Sequence, residues 1–335
     1  MPPSRPKSAV PREVVEDAVR VACRAPSYHN SQPWRWVAEA GRLHLYADRD
    51  RLVATDQSGR QALISCGVVL DHLRVVMAAA GWTTDVRYCP DPDDVAHLAS
   101  LEFTEAPLVT DAQRRRADAV LARRTDRLPF GAVPDHQSTE GLLHDAVATR
   151  AVVSVLTDDA RPRLAEASQY SESLRLYDSA YHAELNWWTS PFDVSDGIPQ
   201  SALISAAESD RVDVGRAFPI THHAERRMQV PEDRSQLVVL SARGDSREDV
   251  LRCGEALSAL LLECTLVGLA TCTLTHVTEV HTSREIVASL TGQPFPQALV
   301  RIGTAPALDD VPPPTPRRPV TDVLEFRGQP AETFA

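Results

Sequence analysis

The sequence is short of the residues on which several large enzyme classes depend. Only 14 of its 335 residues are glycine, and neither the GxGxxG pattern of Rossmann domains nor a GxxxxGK[ST] phosphate loop occurs. The HExxH pattern of zinc proteases and the GxSxG pattern of serine hydrolases are also missing. These absences argue against all of the corresponding classes.

Cysteine pairs, long apolar runs and excess positive charge are missing as well. The six cysteines form no CxxC pair, so neither a zinc ribbon nor a disulfide framework is indicated. No apolar run reaches the roughly 18 residues of a membrane span, and MPPSRPKSAV has no apolar core of a secretory signal. The net charge of −11 argues against a general nucleic-acid binder. We therefore expect a folded cytoplasmic protein that binds neither membranes nor nucleic acids.

The sequence does contain an internal repeat. Residues 60–84 match residues 247–271 at a constant offset of 187, with seven identities that include a Cys-Gly pair. Both segments predict a helix that ends at a glycine, Gly81 or Gly268, and is followed by a strand. Chance similarity between two helices rich in alanine and leucine is the alternative. A duplication would give one chain the architecture of a homodimer, with a pseudo-twofold axis.

The remaining pattern predicts an α+β fold with two halves, in which helices flank mixed sheets. We place the first half at residues 1–110 and the second at residues 111–335. A hairpin is expected around Ala40-Gly41. The second half is expected to contain a basic helix at 111–124 and a long amphipathic helix at 163–189.

A short loop between Pro26 and Pro33 presents a dense set of polar side chains. The prolines prevent the preceding helix from continuing through it. Its residues are Ser27, Tyr28, His29, Asn30, Ser31 and Gln32. Two amides, an imidazole and hydroxyls suit a planar heterocycle that carries alternating carbonyl and N–H groups. A capped turn whose amides bind only the backbone is the alternative.

Two basic segments have the chemistry to bind phosphate. Arg123, Thr125 and Arg127 follow the basic helix, and arginine forks with a hydroxyl suit a phosphate dianion. Arg317 and Arg318 follow a proline-rich stretch that presets an extended backbone. The alternatives are a solvated basic face for the first segment and an arm that ties the two halves together for the second.

Four segments together resemble the FMN-dependent nitroreductase superfamily, and most closely its Acg-type nitroreductase-like branch. They are APSYHNSQPW, RRTDRLPF, GEALSALLLECTLVGLATCTL and PQALVRIGTAP with PPPTPRRP. The likeness covers most of residues 12–320. It implies a nitroreductase-like fold in which the duplication makes the chain a pseudo-dimer, and hence a monomer with one complete site. The loop of the first half and the basic helix end of the second half would build that site.

The resemblance also implies the roles of individual residues. The FMN phosphate would be bound by Arg123, Thr125 and Arg127, together with Arg317 and Arg318, and residues 27–32 would face the flavin ring. Thr273, Thr275 and His276 would lie along the ring. Phe130 comes one residue later than the family motif has it, and residues 273–276 replace a proline–acidic–glycine passage, so the contact at the flavin N5 atom stays open. No residue is predicted to be catalytic in itself or to bind a metal.

The implied activity is the reduction of nitroaromatics or quinones by NADPH or NADH. The alternative is a flavin-binding protein whose closed site stores or sequesters FMN with little or no reductase activity. A relic without flavin is a third possibility. A polar segment of 45 residues, 190–234, bears on this choice because it is long and carries apolar side chains suited to a lid over the flavin. A plain surface loop is its alternative.

Overall fold

In the computed structural model the described residues are 10–190, 196–219, 221–222 and 224–328, with the backbone of 333–334. The elements of the first half are β1 (Val10–Pro11), α1 (Arg12–Ala22), β2 (Trp34–Glu39), β3 (Arg42–Ala47), α2 (Arg60–Ala79), β4 (Trp82–Tyr88) and β5 (His97–Glu105). Strands β2 and β3 form the expected hairpin. Ala40 and Gly41 both have positive φ at its turn, as the tight hairpin turns require.

The second half contains most of the helices. Its elements are α3 (Asp111–Ala122), α4 (His136–Val147), β6 (Val152–Val155), α5 (Arg161–Arg175), α6 (Ser179–Trp188), α7 (Ala206–Ser209), β7 (Gln236–Ser241), α8 (Arg247–Leu266), β8 (Ala270–Leu274), α9 (His276–Glu279), α10 (His281–Thr291) and β9 (Pro296–Gly303). The chain then adds α11 (Val320–Val323), β10 (Leu324–Arg327) and β11 (Thr333–Phe334). The single helix expected at 163–189 is wrong. Asp178 accepts hydrogen bonds from the backbone N–H groups of Ala180 and Tyr181, and so starts a new helix, α6.

The two halves have sheets with the same strand order. The first runs β2-β3-β5-β4 and the second β6-β7-β9-β8, and all neighbours within these runs are antiparallel. Strand β10 adds to β2 in parallel, which makes the first sheet mixed. The end of the second half thus pairs with the first half, across the boundary that we place at residue 110.

Helices α2 and α8 cross at the centre of the molecule, where Gly67 meets Gly254. A Cβ atom on Gly67 would lie 2.1 Å from the backbone oxygen of Leu251, and one on Gly254 would lie 2.3 Å from the backbone oxygen of Ile64. Gly67 and Gly254 are related by the offset of 187 found in the sequence, and so are Ile64 and Leu251. Side chains of both helices enter one apolar core with the first sheet. Only glycine allows the two backbones to approach so closely.

Among the described residues, only α2 is long and apolar enough to cross a membrane by length and composition alone. Inside the protein, 72% of its apolar window is buried. Such burial is typical of a core helix.

Candidate functional site

Two adjoining cavities lie between the halves. The large cavity has a volume of about 650 Å³ and the basic cavity one of about 310 Å³. Both are lined by the loop after α1, by residues after α3 and by the segment before β7. Their shared lining includes Ser27, His29, Thr125 and Arg127. The structure therefore brings the loop of the first half and the basic residues of the second half to one place.

The loop after α1 has an unusual backbone. His29, Asn30 and Gln32 have φ values of 51°, 57° and 51°, which non-glycine residues rarely adopt and which often mark functional sites. The Ser27 hydroxyl accepts a hydrogen bond from the backbone of Gln32 at 3.0 Å. The side chains of Ser27, Tyr28 and His29 line the large cavity, as expected of a ring-binding loop.

The second part of the loop binds the C-terminal arm, residues 312–319. The Asn30 amide donates to the carbonyl oxygens of Gly197 at 2.8 Å and Pro316 at 3.2 Å. The Gln32 amide oxygen accepts from the backbone N–H of Arg318 at 2.9 Å. Asn30 lines the basic cavity, but Ser31 and Gln32 line neither cavity. The structure thus does not bring Asn30, Ser31 and Gln32 to the large cavity, and their contact with the flavin ring stays a prediction.

A row of cations lines the basic cavity. Arg123 is buried and only 7% exposed, Arg24 is partly buried and Arg124 is exposed. The Nε–H of Arg123 has no hydrogen-bond partner. Burial and the neighbouring charge of Arg24 lower the pKa of Arg123 to about 10, and burial and Arg124 lower that of Arg24. In the described part of the chain none of the three forms a salt bridge, so the row is complementary to an anion.

Arg317 and Arg318 have other partners. Arg317 donates its five N–H groups to backbone carbonyls at residues 23–25, 315 and 316. It lies at the C-terminal end of α1, where a cation is favoured. Arg318 forms a salt bridge with Asp48 at 3.1 Å and donates to the Asp322 carbonyl. These contacts engage every N–H group of Arg317 and turn Arg318 toward Asp48, and phosphate bonding by this pair stays a prediction. The alternative of a tying arm agrees with these contacts.

Arg127 lies where the two cavities adjoin. Its guanidinium donates to the Ala202 carbonyl at 3.2 Å and stands 5.0 Å from the centre of the Phe218 ring. Burial lowers its pKa, and it forms no salt bridge with the described residues. Thr125 lines both cavities beside it. These two residues link the anion-complementary end of the site to the large cavity.

Strand β8 forms another wall of the large cavity. Thr273 and Thr275 line it, whereas His276 is buried behind it. The Ser168 hydroxyl donates to the Gly215 carbonyl at 3.0 Å, so the His276 Nε2 atom, 2.7 Å away, donates to Ser168. Burial lowers the pKa of His276 to about 3. His276 is therefore neutral and supports the wall from behind.

The segment 196–234 supplies another wall of the large cavity through residues that include Ile198, Ile204 and Phe218. Residues 191–195, 220 and 223 lie outside the described residues. Arg216 in this segment donates to the Tyr28 hydroxyl at 3.2 Å and forms a buried salt bridge with Glu279. Glu279 also pairs with Arg175 at 2.8 Å. Burial would raise the pKa of Glu279, but Arg216 and Arg175 lower it to about 2. We call Arg216, Glu279 and Arg175 the latch.

The residues on either side of Arg216 also form hydrogen bonds through their backbone. The Gly215 carbonyl accepts from Ser168, and the Ala217 N–H donates to a Glu172 carboxylate oxygen at 3.3 Å. Burial raises the pKa of Glu172. The site as a whole thus has a smaller end lined by arginines without salt bridges among the described residues, and a larger end lined by polar and apolar residues.

No model of a known protein family matches this chain. Among solved structures, it is similar to the FMN and NADPH-dependent nitroreductase NfnB from Sphigopyxis sp. strain HMH, with a TM-score of 0.40 and 14% identity over 64% of this chain and 99% of the other. It is also similar to the FMN-dependent nitroreductase NfnB from Mycobacterium smegmatis in complex with NADPH, with a TM-score of 0.35 and 17% identity over 58% of this chain and 89% of the other.

Sequence relatives span almost the whole chain. It is 56% identical over 327 residues to "Putative NAD(P)H nitroreductase acg" of Mycobacterium tuberculosis (strain H37Rv), covering 97% of this chain and 99% of that protein. It is 35% identical over 319 residues to "Putative NAD(P)H nitroreductase Rv3131" of the same strain, covering 94% and 92%. The chain therefore belongs to the nitroreductase family, in the branch of acg.

Proposed function

We propose that the protein binds FMN and uses it as an NAD(P)H-dependent nitroreductase. The observation that carries this proposal is the buried Arg123 with its neighbour Arg24: they have no carboxylate partner among the described residues and line the basic cavity, which adjoins a cavity of about 650 Å³. A phosphate dianion would satisfy the Arg123 Nε–H and relieve the repulsion within the row. Two relatives of this chain, at 56% and 35% identity, carry the name "Putative NAD(P)H nitroreductase", which agrees with this function.

Each part of the site has a role in this proposal. Arg123 and Arg24 bind the phosphate, with Thr125 and Arg127 beside them. The side chains that face the ring are Ser27, Tyr28, His29, Thr273 and Thr275. Bound FMN supplies the electron transfer, and the protein supplies binding, orientation and exclusion of water.

We infer further that one chain forms one site and acts as a monomer. Two sheets with the same strand order, and two helices that cross at glycines related by the offset of 187, support an origin by duplication. The loop after α1 lies in the first half and residues 123–127 in the second, so a single chain supplies both parts. One FMN per chain follows.

A second function is favoured by the latch. Gly215, Arg216 and Ala217 each bond a different partner, and these bonds support a cover that closes over the large cavity. A nicotinamide would have to reach the ring past this cover. A protein that stores or sequesters FMN, with little or no reductase activity, would have the same structure.

The two functions are separated by anaerobic reduction. FMN-loaded protein at a flavin-to-protein ratio of one is mixed with NADPH or NADH, and the visible flavin absorbance is followed. We expect bleaching, and recovery of the colour on adding a nitroaromatic or a quinone. Stable colour with FMN retained would support sequestration. A protein that binds no FMN would contradict both functions.

Replacing Arg216 by alanine should open the cover. Each hydrogen bond to a charged group contributes about 1.5–3 kcal/mol, so losing one raises the open population about tenfold or more. We expect faster flavin reduction and faster proteolysis between residues 196 and 234. The substitution is preferable to removing the segment, because Arg227 in it binds Asp126 at 2.7 Å and so supports the basic cavity.

Glu225→Gln is the matched control for Arg216→Ala. Glu225 lies in the same segment but lines neither cavity, and in its salt bridge with Arg211, at 3.9 Å, 47% of the Glu225 side chain is exposed. Surface pairs contribute little, about 0–1 kcal/mol. Equal reduction and proteolysis rates in the wild type and Arg216→Ala would show that the segment is a surface loop and does not gate the flavin.

A further inference from the structure

The basic cavity is larger than one phosphate group needs. Its volume is about 310 Å³, and a water molecule in the liquid takes about 30 Å³, so the cavity corresponds to about ten water molecules. A phosphate group has four oxygen atoms around one phosphorus atom and fills at most about half of that space. The lining of the cavity extends to the arm and the end of α3, where Leu121, Arg124, Leu308 and Val311 form part of the wall, and this end is the outer part of the cavity.

The cations continue into this outer volume. Arg123 is buried at the inner end, Arg24 follows, and Arg124 is exposed on the rim. All three line the same cavity, and Arg24 lowers the pKa of Arg123 while Arg124 lowers that of Arg24, as expected of neighbouring charges. Arg124 donates to the Pro312 carbonyl, and like the others it has no salt-bridge partner among the described residues. A single phosphate that binds Arg123 leaves the positive charge of Arg124 without a counter-charge.

Apolar side chains surround the outer cation. Leu121 and Val311 are each 59% exposed, and both line the cavity with prolines of the arm. Exposed apolar surface at the mouth of a cavity marks a binding site. A phosphate alone gains nothing from these side chains, so their position next to Arg124 fits a ligand that has a second phosphate followed by a flat, weakly polar group.

We propose that the outer part of the basic cavity binds the second phosphate and the adenosine of FAD, so that the protein accepts FAD as well as FMN. The proposal rests on the proposed function, in which the first phosphate lies at Arg123. Arg124 pairs with the second phosphate, and the adenosine lies on Leu121 and Val311. A free adenosine diphosphate has the same chemistry, and the experiment distinguishes it from FAD.

The test is a comparison of FMN, FAD and ADP binding to the flavin-free protein by calorimetry and by quenching of flavin fluorescence. The variants are Arg124→Gln and the double substitution Leu121→Ser with Val311→Ser. We expect FAD to bind within about tenfold of FMN, and both variants to weaken FAD about tenfold while FMN changes less than about threefold, as expected for the loss of one charged or apolar contact. Val95→Ser is the control, since Val95 is 56% exposed and lines neither cavity.

Each other outcome has one meaning. If FMN binds and FAD does not, or if the variants weaken FMN and FAD equally, the adenosine site is refuted and the proposed function stands. If ADP binds together with FMN, the outer site serves a free nucleotide and the FAD assignment is wrong. If neither flavin binds, the proposed function fails and the inference fails with it.

Discussion

The Arg123→Ala protein will lose most of its affinity for FMN and keep its affinity for riboflavin, which has no phosphate. Arg123 is buried, its Nε–H has no hydrogen-bond partner, and it lines the basic cavity. Charge-assisted bonds to a phosphate contribute about 1.5–3 kcal/mol each, so FMN should bind about 10- to 100-fold more weakly. Fluorescence titrations with both flavins measure the difference.

Arg317→Ala is the informative comparison for Arg123→Ala. The N–H groups of Arg317 all donate to carbonyls of the arm and of the end of α1. Replacing Arg317 should therefore loosen the arm, lower the thermal stability and weaken the binding of both flavins to the same extent. Removal of Arg123 should leave the thermal stability of the flavin-free protein unchanged or higher, because a buried cation beside other cations disappears. Unchanged FMN affinity in Arg123→Ala, and in the double variant with Arg317→Ala, would place the phosphate elsewhere.

Gly67→Ala will destabilise the fold strongly. The new methyl group would lie 2.1 Å from the Leu251 oxygen and 2.8 Å from the Gly254 Cα atom, and both belong to the backbone of a core helix. Neither can move unless α2 and α8 separate along their crossing. Overpacking of a well-packed core costs about 1–3 kcal/mol, and a clash with backbone should reach at least the upper end of that range. Chemical denaturation of the purified protein measures the loss.

The control for this clash is Gly141→Ala in the interior of α4. Nothing lies within 4 Å of the Cβ atom that it would gain. Alanine in an exposed helix is favoured over glycine by about 0.5–1 kcal/mol, so this variant should be slightly more stable than the wild type. A Gly67→Ala protein as stable as Gly141→Ala would show that the close crossing of the two helices contributes little to the fold.

Features that depend on neighbouring residues could be predicted from the sequence. The helices before Gly81 and Gly268 follow from apolar periodicity, and the turn at Ala40-Gly41 follows from the conformational freedom of glycine. The long helix predicted at 163–189 was wrong because one polar side chain, Asp178, competes locally with helix continuation. The apolar periodicity of the sequence gives no information about that competition.

From the sequence, site residues could be predicted only where they belong to a motif. The two adjoining cavities are lined by Ser27, Tyr28, His29, Arg123, Thr125 and Arg127, and the roles of these residues toward FMN stay a prediction. Arg24, Arg216 and Glu279 were missed, because their importance arises from contacts between segments distant in the chain. The side chain of Arg317 suits a carbonyl as well as a phosphate, so the sequence could not tell which of the two it binds.

The parallel pairing of β10 with β2 has a consequence for how the protein is made. Leu324 is synthesised 285 residues after Glu39, the end of β2. At about 5–20 residues per second, the first sheet waits roughly 15–60 s for its last strand. During that time β2, which carries the buried Trp34 and Trp36, is an open edge that can pair with another nascent chain. Nascent chains of this protein should therefore depend on chaperones until β10 has been synthesised and has paired with β2.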